Sequence, residues 1–97
     1  MTRDEILAAL RAHAAELKGL GVSQLFLFGS AARNERRPDS DVDLFFDYDS
    51  PSFSLVELVD LQSQIERLLR TRADVTSRGS LHPRLRSSIE SSAVQVF

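Results

Sequence analysis

Two short segments of the chain contain residue types that suit phosphate and metal binding. The first is Gly29-Ser30, which follows an apolar run and precedes a predicted helix. The second is Asp41-Val42-Asp43-Leu44, which begins another apolar run. Free backbone amides at the start of a helix attract anions, and glycine lets a ligand approach the backbone closely. Paired carboxylates are typical ligands of hard divalent cations.

The Gly29-Ser30 segment is predicted to form a phosphate-binding turn. Residues 22–28 are almost all apolar and predict a buried strand that ends at this turn. The Ser30 hydroxyl is placed to cap the following helix or to contact a phosphate. Arg33 leads a basic cluster just beyond the turn, and arginine matches phosphate geometry. The alternatives are ordinary turn chemistry for Gly29-Ser30 and a solvated basic loop for the arginines, which also include Arg36 and Arg37.

The Asp41-to-Tyr48 segment is predicted to be a strand with two different faces. Strand alternation places Asp41 and Asp43 on one face, opposite Val42, Leu44, Phe46 and Tyr48. Two carboxylates at this spacing repel each other unless a cation or solvent screens them. We therefore expect them to hold Mg²⁺, with a solvated strand end as the alternative.

Asp74 is a candidate third carboxylate of the same site. It lies in a short predicted strand, residues 73–77, after a long predicted helix. A third carboxylate on a neighbouring strand would complete a cradle for two metal ions roughly 4 Å apart, which clamp the attacking and leaving oxygens of an in-line displacement. The alternatives are a strand cap or an ion pair with Arg72.

Together these motifs resemble the DNA polymerase beta-type nucleotidyltransferase superfamily, and within it the minimal nucleotidyltransferase (MNT) group. The matching segments are Gly29-Ser30-Ala31-Ala32-Arg33-Asn34, Ser40-Asp41-Val42-Asp43-Leu44 and Asp74-Val75-Thr76. Glycine more often stands at the Asn34 position, but asparagine also tolerates the left-handed backbone conformation. The resemblance covers almost the whole chain.

The resemblance implies a site in which each motif has a role. Asp41, Asp43 and Asp74 would be both the catalytic residues and the ligands of Mg²⁺, with two ions possible. Gly29, Ser30 and Arg33 would bind the phosphates of a nucleoside triphosphate, with ATP as the substrate. The reaction would transfer AMP, or another nucleoside monophosphate, to an acceptor hydroxyl.

The resemblance also implies a protein partner. The usual partner of the MNT group is a HEPN-domain toxin, and the MNT protein is the antitoxin, which transfers AMP to a tyrosine of that toxin. A hetero-oligomer is therefore expected. Two alternatives remain: an antitoxin that neutralises its partner by binding alone, and a stand-alone nucleotidyltransferase with a small-molecule or nucleic-acid acceptor.

Composition restricts the other possibilities. The chain has 97 residues, 42% hydrophobic and 27% charged, which fits one globular domain over residues 1–97. It contains no cysteine, so disulfides and thiolate metal sites are excluded. It has no apolar run of about 18 residues and no visible secretory signal, so we expect a cytoplasmic protein without a membrane partner. A net charge of −2 does not favour binding to long nucleic acids.

The order of predicted elements alternates helices and strands and indicates an α/β (α+β) fold. We expect a mixed sheet of about four strands flanked by helices, the polymerase beta-like nucleotidyltransferase core. The predicted helices are one from the Thr2/Glu5 capping box towards Gly21, a short one over residues 30–35, one from the Ser54/Glu57 capping box to about Arg70, and a last one beginning near Pro83. A final strand, residues 93–97, is predicted at a sheet edge.

Three further predictions concern side chains outside the motifs. Asp47 shares a strand face with Asp41 and Asp43 but lies further along, so we expect it to be solvated. Leu85 and Ile89 are expected to face the core. The apolar residues at the start of the long helix are interpreted either as additional core or as a protein contact; they are Leu55, Val56 and Val59.

Overall fold

A computed structural model describes all 97 residues of the chain. Five helices and four strands alternate along it: α1 (Arg3–Ala12), α2 (Ala14–Lys18), β1 (Val22–Phe28), α3 (Gly29–Ala32), β2 (Val42–Tyr48), α4 (Leu55–Leu69), β3 (Ala73–Ser77), α5 (Arg86–Ser92) and β4 (Val94–Gln95). A short 3-10 turn, Arg78–Ser80, follows β3. The predicted α+β fold with a mixed four-stranded sheet is confirmed.

The strands form one sheet in the order β3-β2-β1-β4. β1 is antiparallel to both β2 and β4, whereas β2 and β3 run parallel and are connected through α4. The pairing places Phe28 opposite Asp43 and Asp43 opposite Asp74. The end of β1 therefore meets the beginnings of β2 and β3 at one edge of the sheet. The expected edge strand at the C-terminus is confirmed as β4.

One face of the sheet packs against the helices and forms the core. Alternate residues of β1 and β2, such as Leu25, Leu27 and Leu44, are completely buried there. The helices contribute buried side chains such as Leu10 and Leu61 to the same cluster. Each fully buried aliphatic or aromatic side chain stabilises the fold by about 1.5–3 kcal/mol, so this face supplies most of the free energy of folding.

The predicted capping boxes begin α1 and α4. Thr2 and Glu5 bond to each other's backbone N–H groups, as do Ser54 and Glu57. Each such cap contributes about 1 kcal/mol to helix stability. The prediction of one continuous first helix is wrong. The backbone of His13 leaves the helical region (φ −112°, ψ 19°), so α1 ends there, and the buried Leu17 lies on the separate helix α2.

Other local expectations are corrected by the structure. The short helix α3 ends at Ala32, before the predicted residue 35, and Asn34 adopts the left-handed conformation (φ 58°) that its glycine-like position predicted. Pro83 lies in a turn before α5, and Leu85 is exposed because that turn precedes the helix.

The N-terminal apolar residues of α4 are not part of the core. Leu55 is 72% exposed, Val56 67% and Val59 54%, so the interpretation as additional core is wrong. The core is filled instead by the opposite side of the helix, where Leu61, Ile65 and Leu69 are buried. The three exposed residues form an apolar stripe, called here the α4 stripe. No helix in the structure has the length and apolar character needed to cross a bilayer.

Candidate active site

Gly29 and Asp43 fit together so closely that no side chain is tolerated at residue 29. Gly29 has φ +70°, a conformation that disfavours residues with a Cβ. A Cβ built there would lie 2.5 Å from Oδ2 of Asp43, less than any real contact distance. Gly29 therefore leaves the space that the Asp43 carboxylate occupies. Two segments fourteen residues apart in the sequence form one site.

Asp43 and Asp74 lie side by side on neighbouring strands. They are paired in the parallel β2–β3 register, so both side chains project from the same face of the sheet. This face, opposite the core, is called here the carboxylate face. Partial burial raises the pKa of Asp43 above its usual value, and the negative charges of Asp74 and Asp41 raise it further. The structure therefore brings the three predicted carboxylates within range of one another's charge.

Asp41 forms an ion pair that the sequence analysis did not predict. Its Oδ1 lies 3.2 Å from Nε of Arg72, with the Asp41 side chain 47% exposed. The sequence suggested Arg72 as a possible partner of Asp74 instead. Asp74 itself is exposed and makes no ion pair. Of the three carboxylates, Asp43 is thus the most enclosed, and Asp74 is the exposed one without an ion pair.

Of the three predicted phosphate-binding residues, Gly29 packs directly against Asp43, and Ser30 and Arg33 follow it on α3 and at its end. Gly29 and Ser30 form the first turn of α3, where backbone N–H groups lack helical partners. The Ser30 side chain makes no hydrogen bond within the protein, although its carbonyl accepts one from the Glu35 N–H at 2.8 Å. Arg33 ends α3; its side chain is 58% exposed, and its Nε lies 3.1 Å from Glu35. Arg33 is therefore near the turn but directed to a carboxylate of the loop.

The donor chemistry of the three aspartates fits Mg²⁺. All are oxygen ligands, and the mutual repulsion that raises the pKa of Asp43 is the repulsion that a divalent cation relieves. As the side chains stand, no three acidic, histidine or cysteine side chains are grouped closely enough to hold a metal ion. The ion pair of Asp41 with Arg72 accounts for part of this separation.

A second cluster on the carboxylate face was not predicted from the sequence. Arg78 donates two hydrogen bonds to Asp47, at 2.8 and 2.9 Å, and a third to Glu90 of α5. Its guanidinium lies 4.8 Å from the ring centre of Phe26 and 5.0 Å from that of Phe45. The expectation that Asp47 is solvated is therefore wrong. Strand alternation did place Asp47 on this face, but only the fold shows that Arg78 follows β3 directly beside it.

This Arg78 cluster closes the far end of the carboxylate face. It covers Phe26 and Phe45, whose rings stack with centroids 4.8 Å apart. The hydrogen bonds that Arg78 donates to Asp47 and Glu90 raise the pKa of Arg78, so the guanidinium stays charged. Because α5 has no buried residue of its own, the bond to Glu90 is a principal tie between that helix and the sheet.

A mixed sheet in which a glycine-serine turn packs against Asp43, with Asp74 in register on the neighbouring strand, is the arrangement that the motifs predicted for a nucleotidyltransferase. The family model described as nucleotidyltransferase domain matches residues 8–96 of the chain. A Methanocaldococcus jannaschii protein with the provisional name protein adenylyltransferase MJ0126 is 37% identical over 97 residues, 98% of both chains. The protein adenylyltransferase MntA of Thermococcus cleftensis is 38% identical over 82 residues, 84% of this chain and 82% of that protein.

The solved structures agree with the sequence comparisons. A structure provisionally described as a minimal nucleotidyltransferase superposes with a TM-score of 0.85 at 32% identity, over 97% of this chain and 95% of that one. The chain therefore belongs to the nucleotidyltransferase domain family, and within it to the minimal nucleotidyltransferase group that the motifs predicted. A toxin-antitoxin structure with AMP-PNP shares the fold at a TM-score of 0.69 and 16% identity, over all of this chain and 73% of that one.

Proposed function

We propose that the protein transfers AMP from ATP to the hydroxyl group of a tyrosine on a partner HEPN-domain toxin and acts as the antitoxin. The observation that carries the proposal is the packing of Gly29 against Asp43, with Asp74 in register beside it. In this arrangement the turn that we propose as the phosphate site lies next to two carboxylates in register. Two relatives with names in the protein adenylyltransferase series support a protein acceptor.

The turn at Gly29-Ser30 would hold the phosphates of ATP. Its backbone N–H groups and the unoccupied hydroxyl of Ser30 are donors of the kind that anionic oxygens accept. Arg33 is exposed and adds positive charge beside them if it exchanges Glu35 for a phosphate. Asp41, Asp43 and Asp74 would hold Mg²⁺, which when bound neutralises charge on the phosphates.

The transfer itself needs only one displacement. The acceptor oxygen forms a bond to the α-phosphorus, the bond from that phosphorus to the bridging oxygen breaks, and pyrophosphate leaves. The proton of the hydroxyl must move to a base, and Asp74 is the proposed base because it is exposed and, unlike Asp41, makes no ion pair. Positioning and charge neutralisation account for most of the expected rate enhancement.

The α4 stripe supports a protein partner. Leu55, Val56 and Val59 present adjacent apolar side chains to solvent, on a chain whose other large apolar residues are mostly buried. Contiguous exposed apolar surface often marks a protein contact. A hetero-oligomer with the toxin would cover this stripe.

The test uses ATP labelled at the α-phosphate, Mg²⁺ and the purified HEPN-domain partner. We expect label on a tyrosine of the partner, and a loss of transfer of at least about 10³-fold in Asp43→Asn, since a carboxylate central to charge neutralisation is removed. Asp49→Asn, which changes an exposed aspartate in the loop after β2, is the matched control and should transfer normally.

Two other results would contradict the proposal in different ways. If the Asp41→Asn/Asp43→Asn double variant still neutralises the toxin fully and no label is transferred by the native protein, the antitoxin acts by binding alone. If label reaches a small molecule or a nucleic acid without any partner, the protein is a stand-alone nucleotidyltransferase.

A further inference from the structure

A cavity on the helix side of the same sheet edge contains an unneutralised arginine. Its volume is about 370 Å³, and it is lined by residues from α1, the loop before β2 and the end of α4: Met1, Ile6, Arg36, Pro38, Leu69, Arg70 and Thr71. None of the residues assigned to nucleotide or metal binding lines this cavity. It is therefore separate from the site on the carboxylate face.

Arg36 is the unusual residue of this cavity. Its Nη2 donates a hydrogen bond to Oγ1 of Thr71 at 2.7 Å, while its Nε is buried without any hydrogen-bond partner. No carboxylate lies within 4.0 Å of the guanidinium. A partly buried charge without a counter-ion is unfavourable, because desolvation is not offset by an opposite charge.

Three other arginines of the chain have a carboxylate partner. Arg33 is paired with Glu35, Arg72 with Asp41 and Arg78 with Asp47. The chain therefore supplies carboxylates to arginines in several other places but none to Arg36. No acidic residue lines the cavity, so the chain itself supplies no counter-ion there.

A second arginine makes the cavity more cationic. Arg70 ends α4 in the left-handed conformation (φ 54°), which turns the chain so that Arg70 and Thr71 both line the cavity. Arg70 makes no ion pair either. Two unpaired guanidinium groups, one hydroxyl and no carboxylate match a phosphate group, which carries more than one negative charge and several acceptor oxygens.

We propose that the cavity lined by Arg36, Arg70 and Thr71 is a second anion site, which binds a phosphate group. The guanidinium of Arg36 supplies the principal charge, and the hydroxyl of Thr71 orients the guanidinium. The phosphate group comes either from free phosphate or from the terminal phosphates of a nucleotide. This assignment does not depend on the proposed transfer reaction.

The test is a titration of the ¹⁵N-labelled protein with inorganic phosphate at pH 7, followed by amide chemical shifts. Sodium chloride at equal ionic strength is the reference. We expect saturable shifts at Arg36, Leu69 and Thr71, with a midpoint that differs from that of any shift at Gly29 and Ser30. Arg36→Met should weaken the affinity for phosphate at least tenfold. Arg37→Met, at the neighbouring exposed residue, is the matched control and should bind phosphate with native affinity.

Additional measurements distinguish free phosphate from nucleotide phosphate, and loss of charge from misfolding. With AMP-PNP, a single midpoint for shifts at both the Gly29 turn and the cavity identifies a nucleotide phosphate; phosphate binding that persists with AMP-PNP bound identifies free phosphate. Arg36→Lys keeps the charge and should bind with intermediate affinity, which separates charge loss from misfolding. Absence of saturable shifts, or equal affinity in Arg36→Met, would overturn the proposal.

Discussion

Asp43 and Asp47 lie on the same strand and the same face, yet their environments are opposite. Asp47 is held by two hydrogen bonds from Arg78, beside stacked phenylalanine rings. Asp43 has no arginine; its neighbours are Asp74 and Asp41, whose charges raise its pKa. One end of the carboxylate face satisfies its charges within the chain, and the other does not.

The difference separates a carboxylate that is paired within the chain from the carboxylates of the proposed site. A paired carboxylate stabilises the fold, because its partner and hydrogen bonds offset desolvation. Carboxylates that repel one another reduce stability, and such an arrangement is typical of a site whose opposite charge arrives with a ligand. Substitutions at the two ends should therefore have opposite consequences for activity and stability.

After the loss expected for Asp43→Asn, the largest effect is expected at the turn that packs against Asp43. In Gly29→Ala the added Cβ must displace the Asp43 carboxylate, and φ +70° adds about 1–2 kcal/mol of strain. We expect transferase activity to fall by at least about 10²-fold, because small displacements of catalytic groups have effects of that size. Gly79→Ala is the matched control, since no atom lies within 4 Å of the position that a Cβ would take there. Near-native activity in Gly29→Ala would show that Asp43 need not occupy its observed position.

An intermediate effect is expected at the paired end. Asp47→Asn removes the charge from two hydrogen bonds to Arg78 and should lower the free energy of unfolding by about 1–3 kcal/mol. Activity per folded molecule should change less than threefold. Urea denaturation measures the stability, and Glu35→Gln, which breaks the exposed pair with Arg33, should change it by about 0.5 kcal/mol or less. If Asp47→Asn and Glu35→Gln lowered the free energy of unfolding equally, Asp47 would contribute no more to stability than a surface carboxylate.

The smallest expected effect concerns pH. Because the folded pKa of Asp43 is raised above 3.8, the folded protein binds this proton more tightly than the unfolded chain. The contribution of this protonation to the free energy of unfolding is fully present at pH values below the pKa of the unfolded chain. It is lost as the pH rises through the pKa of the folded protein. Without metal, Asp43→Asn should therefore become more stable relative to the native protein as pH rises above 3.8, by an amount on the order of 0.5 kcal/mol.

Urea denaturation in EDTA at several pH values, from acid to neutral, measures this difference. Added Mg²⁺ should stabilise the native protein more than Asp43→Asn, because a ligand that binds only the folded state shifts the equilibrium towards it. A relative stability that falls with rising pH would mean that Asp43 has a favourable partner instead of like-charged neighbours.

Prediction from sequence succeeded where the signal was local. The strands β1 and β3 were predicted with their observed bounds, because short apolar runs between turn residues indicate strands. The capping boxes of α1 and α4 were recognised because their partners lie three residues apart. The break at His13 was missed because the apolar spacing continues through it to Leu17.

Non-local relations were beyond the sequence. Arg78 and Asp47 are thirty-one residues apart, and nothing in their spacing indicates that they meet. The exposure of Leu55, Val56 and Val59 was likewise undecided, because an apolar stripe has the same sequence pattern whether the core or a partner covers it. The assignment of Arg72 to Asp41 instead of Asp74 depended on side-chain directions at the sheet edge.

The sequence alone determined which residues are suited to hold phosphate and metal, and the family that contains them, because residue type and short-range spacing decide hydrogen-bonding capacity and strand alternation. Only the tertiary structure decided that Gly29 leaves room for Asp43, that Asp43 lies beside Asp74, and that Arg36 lacks a counter-ion. The physical reason is that charge and steric interactions depend on distance in space, and strand register and helix packing set those distances.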